Sequence, residues 1–203
     1  MSLYQLLPSA DVACKEETHA YWENGFSQAE ITRIRMMGDR DISATTSNQA
    51  LIGAGQENPD IRRSKLAWFN LNEETTWLYD KLGYVVRQVN GQYFQFNLTG
   101  FAEPFQYTVY NGTERSHYDW HMDKGYADNG AAPRKLSLVL MLSDPDEYEG
   151  GELELMTGPQ PSKVANTQGL IHLFPSWVLH RVTPVTKGTR RSLVVWVCGP
   201  RFR

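Results

Sequence analysis

From residue 101 onward the sequence is a succession of short β-branched, leucine-rich and aromatic runs cut apart by Gly, Pro and Asp. A helix needs a longer apolar pattern repeating near every 3.6 residues, so runs this short are most readily buried as consecutive strands. We read strands at 106–110, 118–123, 135–142, 152–156, 170–174, 178–183 and 191–197. Seven short strands preceded by helices predict a mostly β (α+β) fold. The expected form is a double-stranded β-helix, or jelly roll, supported by N-terminal helices.

The helical support is expected within the first hundred residues. Phe26-Ser27-Gln28-Ala29-Glu30-Ile31 has the form of a helix start, with Ser27 as N-cap, Glu30 reaching back to it and Phe26 stapled to Ile31. Gly38 is the expected stop. A second helix is expected after Asn72, with Trp77, Leu78, Leu82 and Val85 on one face, ending toward Asn90-Gly91. The stretch 43–60 between them, rich in Ser, Thr, Gly and Asn, reads as a loop. No internal repeat or linker divides the chain, so 1–203 is expected to be one domain: helical support and substrate loops at 1–100, the jelly-roll core at 101–203.

Composition closes off several classes of partner. The net charge is −3 and no run of five or six Lys/Arg occurs, which argues against nucleic acid. No apolar stretch approaches the roughly 18 to 20 residues that span a bilayer, and the first residues lack a basic head with a long apolar run. The two cysteines, Cys14 and Cys198, are too few for a multi-cysteine zinc site and too far apart in sequence to read as a disulfide framework. A cytoplasmic protein without a membrane or nucleic-acid partner is expected.

Chemistry concentrates at Tyr118-Asp119-Trp120-His121-Met122-Asp123. In a strand, residues two apart share a face, so His121 and Asp123 can offer an imidazole and a carboxylate to one metal ion. His180, inside another expected strand, can supply a third ligand. Two histidines and one carboxylate leave positions open on the metal, which suits iron(II) binding a bidentate co-substrate and dioxygen better than four-coordinate structural zinc. A co-substrate with a distal carboxylate needs a fixed, bidentate cation, and Arg190 is the candidate. A turn at 184–188 would fold two strands back on each other and bring Arg190 into the cavity, with Ser192 on the same face adding a hydroxyl.

The five histidines allow other assignments. His117-Tyr118-Asp119 is also His-x-Asp, and by period two it lies on the same strand face, so His117 is an alternative ligand. His172, between Ile171 and Leu173, reads as a hydrogen-bonded structural histidine, and His19 as a solvated one. Arg191 must point away from Arg190, toward solvent. Gly150 and Gly151 read as a tight turn or a close backbone approach, since no helix follows them to bind phosphate. The Gly- and Ala-containing segment 124–133 is expected to border the substrate groove, and with 43–60 it could form a lid.

These residues carry a resemblance. His121-Met122-Asp123, the run from Leu142-Ser143-Asp144-Pro145 to Glu149-Gly150-Gly151-Glu152-Leu153, Phe174-Pro175-Ser176, His180-Arg181-Val182-Thr183-Pro184-Val185 and Gly188-Thr189-Arg190 resemble, in order and spacing, the prolyl 4-hydroxylase family of Fe(II)/2-oxoglutarate-dependent dioxygenases, including its PKHD-type bacterial and phage members. The resemblance covers about 107–196. It implies Fe(II) held by His121, Asp123 and His180, with 2-oxoglutarate held by Arg190 and hydrogen-bonded by Tyr110. It also implies O2 as oxidant, possible use of L-ascorbate, and substrate contacts from Arg134 and Trp196. Met141 departs from the family's oxygen-sensing members, which have a tyrosine there. Related halogenases lack the carboxylate at the position of Asp123, so its presence implies hydroxylation.

The activity so implied is hydroxylation of a prolyl residue in a protein or peptide. Two alternatives stay open: hydroxylation of a free amino acid or other small molecule, favoured by a closed pocket with a second anchoring cation, and a non-catalytic jelly-roll binding module.

Overall fold

The computed structural model describes residues 17–44, 58–125 and 132–201. Twelve strands occur among them: β1 (Ala20–Trp22), β2 (Arg62–Arg63), β3 (Lys65–Phe69), β4 (Phe105–Asn111), β5 (His117–His121), β6 (Arg134–Met141), β7 (Tyr148–Gly150), β8 (Leu153–Leu155), β9 (Ser162–Lys163), β10 (Ile171–Pro175), β11 (His180–Val182) and β12 (Val185–Cys198). The helices are α1 (Gln28–Ala44) and α2 (Thr76–Val89), the latter continuing as a wider turn over Asn90–Phe94. All strand pairs are antiparallel. The larger sheet has the order β1-β10-β6-β12-β4-β3, with β7 added along β12, and the smaller is β2-β5-β11-β8-β9. This is the jelly roll expected from the strand pattern.

Period-two alternation divides the larger sheet into two faces. Leu136, Leu138 and Leu140 of β6, Leu193, Val195 and Val197 of β12, Phe105 and Tyr107 of β4, and Ile171 and Leu173 of β10 form one core with the helices. Ile31, Ile34 and Met37 of α1 and Leu78, Leu82, Val85, Val86 and Val89 of α2 close it. The opposite face contributes Tyr110, Val139, Met141 and Phe174 to a second cluster with Leu153, Leu155 and Val182 of the smaller sheet. The candidate site lies against this second cluster.

The capping box of α1 forms as expected: the Ser27 amide donates to Glu30 Oε2 at 2.7 Å and the Glu30 amide to Ser27 Oγ at 3.3 Å. Gly38, however, does not stop the helix, which runs on to Ala44. It is a packing glycine, where a Cβ would come within 2.3 Å of the Tyr107 ring. In α2, Asn72 Oδ1 accepts from the amides of Glu74 and Thr75 and sets up the first turn. The loop at 43–60 falls largely on 45–57, and the segment 124–133 largely on 126–131. Both stretches lie outside the described residues, as does the lid built on them.

The turn expected at 184–188 is corrected. β12 begins at Val185, and β11 and β12 lie in different sheets. The chain crosses between sheets at Thr183-Pro184, and the first part of β12 pairs with β7, Val185 opposite Gly150 and Gly188 opposite Tyr148. Gly150 at φ +75° carries this junction, because a Cβ there would meet the Pro184 carbonyl oxygen at 2.3 Å.

Candidate active site

β5 and β11 are neighbours in the smaller sheet, and their register sets His180 directly opposite His121. β5 ends at His121, so Asp123 lies two residues past the strand and not within it as expected. Three contacts bring it back over the sheet. Asp123 Oδ2 accepts from Ser137 Oγ of β6 at 2.7 Å, Arg134 Nη1 donates to the Asp123 carbonyl at 3.4 Å, and the Lys124 amide donates to the Ser176 carbonyl at 2.8 Å. One ligand atom from each of His121, Asp123 and His180 then falls within 4.8 Å of the others. His121 Nε2 is 3.7 Å from Asp123 Oδ1, and His180 Nε2 is 3.5 Å from Asp123 Oδ2.

Both imidazoles are held in one tautomer. His121 Nδ1 lies 2.7 Å from the Asp119 carbonyl oxygen and His180 Nδ1 lies 2.9 Å from that of Val178. A carbonyl can only accept, so both Nδ1 atoms carry hydrogen. In the neutral rings both Nε2 lone pairs are then free to face the carboxylate, as metal-bound histidines require. Burial, followed by the proximity of His180, lowers the pKa of His121 and favours this neutral form. Burial opposes ionisation of Asp123, but His180, His121 and nearby N–H and O–H groups outweigh it and hold its pKa below the usual carboxylate value. Among those groups is the Trp196 indole N–H, close enough to favour the anion yet outside hydrogen-bond geometry.

His117 is not part of this cluster. Its ring nitrogens lie 3.1 Å from the backbone carbonyls of Arg115 and Asp60. Two other expectations are corrected. His19 stacks on His172, with Nε2 to Nδ1 at 3.0 Å, while His172 Nε2 donates to the Ala165 carbonyl at 2.7 Å. Arg191 turns toward the helices and pairs with Asp39 of α1 at 3.1 Å, because the face opposite Arg190 is covered rather than open to solvent. His172 is buried and hydrogen-bonded, as its apolar neighbours suggest.

Arg190 is 1% exposed and lies on the inner face of β12. Its guanidinium carbon is 5.3 Å from the centre of the Tyr110 ring, Nη1 donates to Ser192 Oγ at 3.3 Å, and Nη2 approaches Met141 Sδ at 3.5 Å. Nε is buried with no hydrogen-bond partner, and no carboxylate among the described residues pairs with this cation. A buried, uncompensated guanidinium calls for an anion. Arg190, Ser192 and Tyr110 therefore fit the carboxylate tail of 2-oxoglutarate, and two imidazoles with one carboxylate fit Fe(II).

At the other end of the inner face, Arg134 stacks over Trp196 at 3.7 Å and pairs with Glu103, Nε to Oε2 at 2.6 Å and Nη2 to Oε1 at 2.5 Å. Trp196 and Ser137 are directly opposite in the β12–β6 register, so Trp196, Ser137 and Asp123 form one corner. Sequence reading missed Ser137 and quoted Ser176 only within the Phe174-Pro175-Ser176 motif, without a role; their hydroxyls are 3.0 Å apart. The signal was present: each is a small polar residue at an inward position of an otherwise apolar segment. It also missed Glu103 and Arg62, which nothing in their local sequence singles out.

The comparisons with known proteins agree with this geometry. Residues 105–198 match the family model described as the 2OG-Fe(II) oxygenase superfamily. A PKHD-type hydroxylase of Prochlorococcus marinus is 45% identical over 80 residues, covering 39% of this chain and 35% of that protein. One from Xylella fastidiosa is 32% identical over 135 residues, covering 61% of this chain and 58% of that protein. The chain thus matches about a third of the length of the first relative and little over half of the second. Among solved structures, a prolyl hydroxylase from Trichoplax adhaerens, in complex with a peptide fragment of hypoxia inducible factor, superposes with a TM-score of 0.75. It is 18% identical, with 89% of this chain and 83% of that chain covered, and shows a shared fold. No helix among the described residues is long and apolar enough to cross a membrane. The matched segment holds the jelly-roll strands, the two histidines, the aspartate and the buried arginine, so the likeness of residues 105–198 to the 2OG-Fe(II) oxygenase superfamily falls on the candidate site itself.

Proposed function

We propose that this protein is a single-domain Fe(II)- and 2-oxoglutarate-dependent dioxygenase that hydroxylates a prolyl residue in a protein or peptide. The observation that carries the reading is the combination of two tautomer-locked histidines facing Asp123 with a buried arginine that has no carboxylate partner among the described residues. His121, Asp123 and His180 would hold the iron, while Arg190, Ser192 and Tyr110 would hold the co-substrate. The bound metal and co-substrate supply the oxidation: a substrate C–H, O2 and 2-oxoglutarate give C–OH, succinate and CO2. The protein's own part is to fix these groups in a water-poor cavity and place the substrate beside the metal, with Arg134 and Trp196 at its edge. The prolyl specificity is supported by the PKHD-type relatives and by the peptide-bound Trichoplax neighbour.

The test is anaerobic titration with Fe(II) and 2-oxoglutarate, followed by admission of oxygen and succinate detection over a panel of proline-containing peptides. Wild type is expected to bind both and to release succinate with a subset of peptides. His121→Ala is expected to lose iron and Arg190→Ala to lose 2-oxoglutarate. A wild-type protein that binds neither would overturn the reading.

A further inference from the structure

A second buried arginine near the metal cluster has no role in the site described so far. Arg62 of β2 is 7% exposed and sits opposite Tyr118 in the β2–β5 register. Its guanidinium carbon lies 4.4 Å over the Tyr118 ring, and that ring stacks on His121 with centroids 3.4 Å apart. The Arg62 cation is therefore one ring away from a candidate metal ligand. Its single hydrogen bond among the described residues runs from Nε to Ser64 Oγ at 3.2 Å, and no carboxylate among them pairs with it. The two terminal nitrogens, the edge that binds carboxylates bidentately, have no partner among the described residues.

Arg190 already answers the needs of the co-substrate, and it is the more deeply enclosed of the two. The π-face of Tyr118 stabilises the Arg62 charge in part but leaves its N–H groups unmet. A second guanidinium with no carboxylate among the described residues, one ring removed from the candidate ligand His121, gains from an anion that arrives there.

Resting on the Fe(II)- and 2-oxoglutarate-dependent oxygenase reading above, and narrowing its substrate, we infer that Arg62 binds a carboxylate of the substrate itself, so that the preferred substrate carries a free carboxylate close to the hydroxylated C–H. A free imino or amino acid and a peptide ending in the target residue share this chemistry. A prolyl residue internal to a chain does not.

The experiment uses the protein loaded anaerobically with Fe(II) and 2-oxoglutarate, and reads the change in the metal-to-co-substrate absorption band as paired probes are added. The pairs are L-proline with L-prolinamide, and Ala-Ala-Pro as the free acid with its C-terminal amide. In at least one pair the acid is expected to bind tenfold or more tightly than the amide. Arg62→Gln should remove that preference while 2-oxoglutarate affinity stays within about twofold, and Arg62→Lys should keep part of it. The pair that responds tells a free amino acid from a peptide terminus. Equal binding of acid and amide in both pairs, no binding of any probe, or a preference that survives in Arg62→Gln overturns the inference. So does a tenfold loss of 2-oxoglutarate affinity in Arg62→Gln, which would give the arginine to the co-substrate. The wild-type acid and amide comparison holds even if a variant folds poorly. Failure of wild type to develop the absorption band would instead count against the oxygenase reading.

Discussion

Gly151 and Arg190 are packed so closely that a Cβ on the glycine would lie 2.9 Å from Arg190 Cδ and 2.7 Å from Val185 Cγ2. The glycine also has φ +64°, in the left-handed region. The Gly-Gly pair that reads in sequence as a tight turn or backbone approach thus supports the aliphatic stem of Arg190. Gly151→Ala is expected to cost about 1–2 kcal/mol of stability from backbone strain and to weaken 2-oxoglutarate binding by displacing the guanidinium. Thermal melts together with co-substrate titration check this. Unchanged affinity would show that the stem can shift without moving its head.

Ser137 is expected to matter more to metal affinity than its size suggests. Its hydroxyl donates to Asp123 Oδ2 and orients the carboxylate toward the two histidines. Removing such an outer partner typically costs about 10–100-fold in metal affinity. Ser137→Ala should therefore weaken Fe(II) binding by roughly tenfold or more, read by titration, with the far-UV spectrum unchanged. Ser176→Ala, which touches Ser137 and not Asp123, should have the smaller effect.

The pair Arg134 and Glu103 separates positioning from metal binding. Arg134 is fixed by Glu103 and lies flat on Trp196. Glu103→Gln should loosen that plane and raise the substrate KM, leaving 2-oxoglutarate affinity unaltered because Arg190 is held by other groups. A fall in co-substrate affinity equal to the rise in KM would contradict this division.

Gly38→Val tests the helix-to-sheet packing. The nearest atoms of the Tyr107 ring would stand 2.3 Å from the new Cβ, and that ring is pinned by its hydroxyl, which donates to Asp39 Oδ1 at 2.8 Å. Overpacking of this kind costs about 1–3 kcal/mol or more, so a Tm several degrees lower is expected. A helix that truly ended at Gly38 would tolerate the change.

Stability should also fall in acid through His172. Burial, together with His19 and Arg190 nearby, pushes its pKa down to about 4 despite the hydrogen bond to Ala165, from an ordinary value of 6.5. Between those values the unfolded chain binds a proton that the folded chain does not. Stability is therefore full above pH 6.5 and declines as pH falls toward 4, by up to the order of 3 kcal/mol. Denaturant midpoints of wild type and His172→Asn measured from pH 7.5 to 4.5 should converge toward low pH. Parallel curves would show that His172 does not titrate as its burial demands.

The sequence by itself determined the elements whose causes are local. Short apolar runs such as 135–142 and 191–197 assigned the strands, and the fixed period of two in a strand put Arg190 and Ser192 on one face and Arg191 on the other. The Ser27 and Glu30 box started α1, and the His-x-Asp spacing offered a metal motif at two places, His117 and His121, between which spacing alone did not choose. Tertiary structure decided whatever depended on a partner far along the chain. Gly38 served packing and not helix termination, set against a Tyr107 ring that leaves no room for a side chain, and Arg191 was covered because α1 brought Asp39 over it. Strands as short as β2 and β7 exist only through the neighbours that pair with them. His121 became the partner of His180, and His117 did not, because the β5–β11 register set one histidine against another while backbone carbonyls engaged the other ring. Arg62 stayed invisible for the same reason: one of two adjacent arginines in a polar stretch stands out only when the sheet closes over it and leaves it with no carboxylate partner among the described residues.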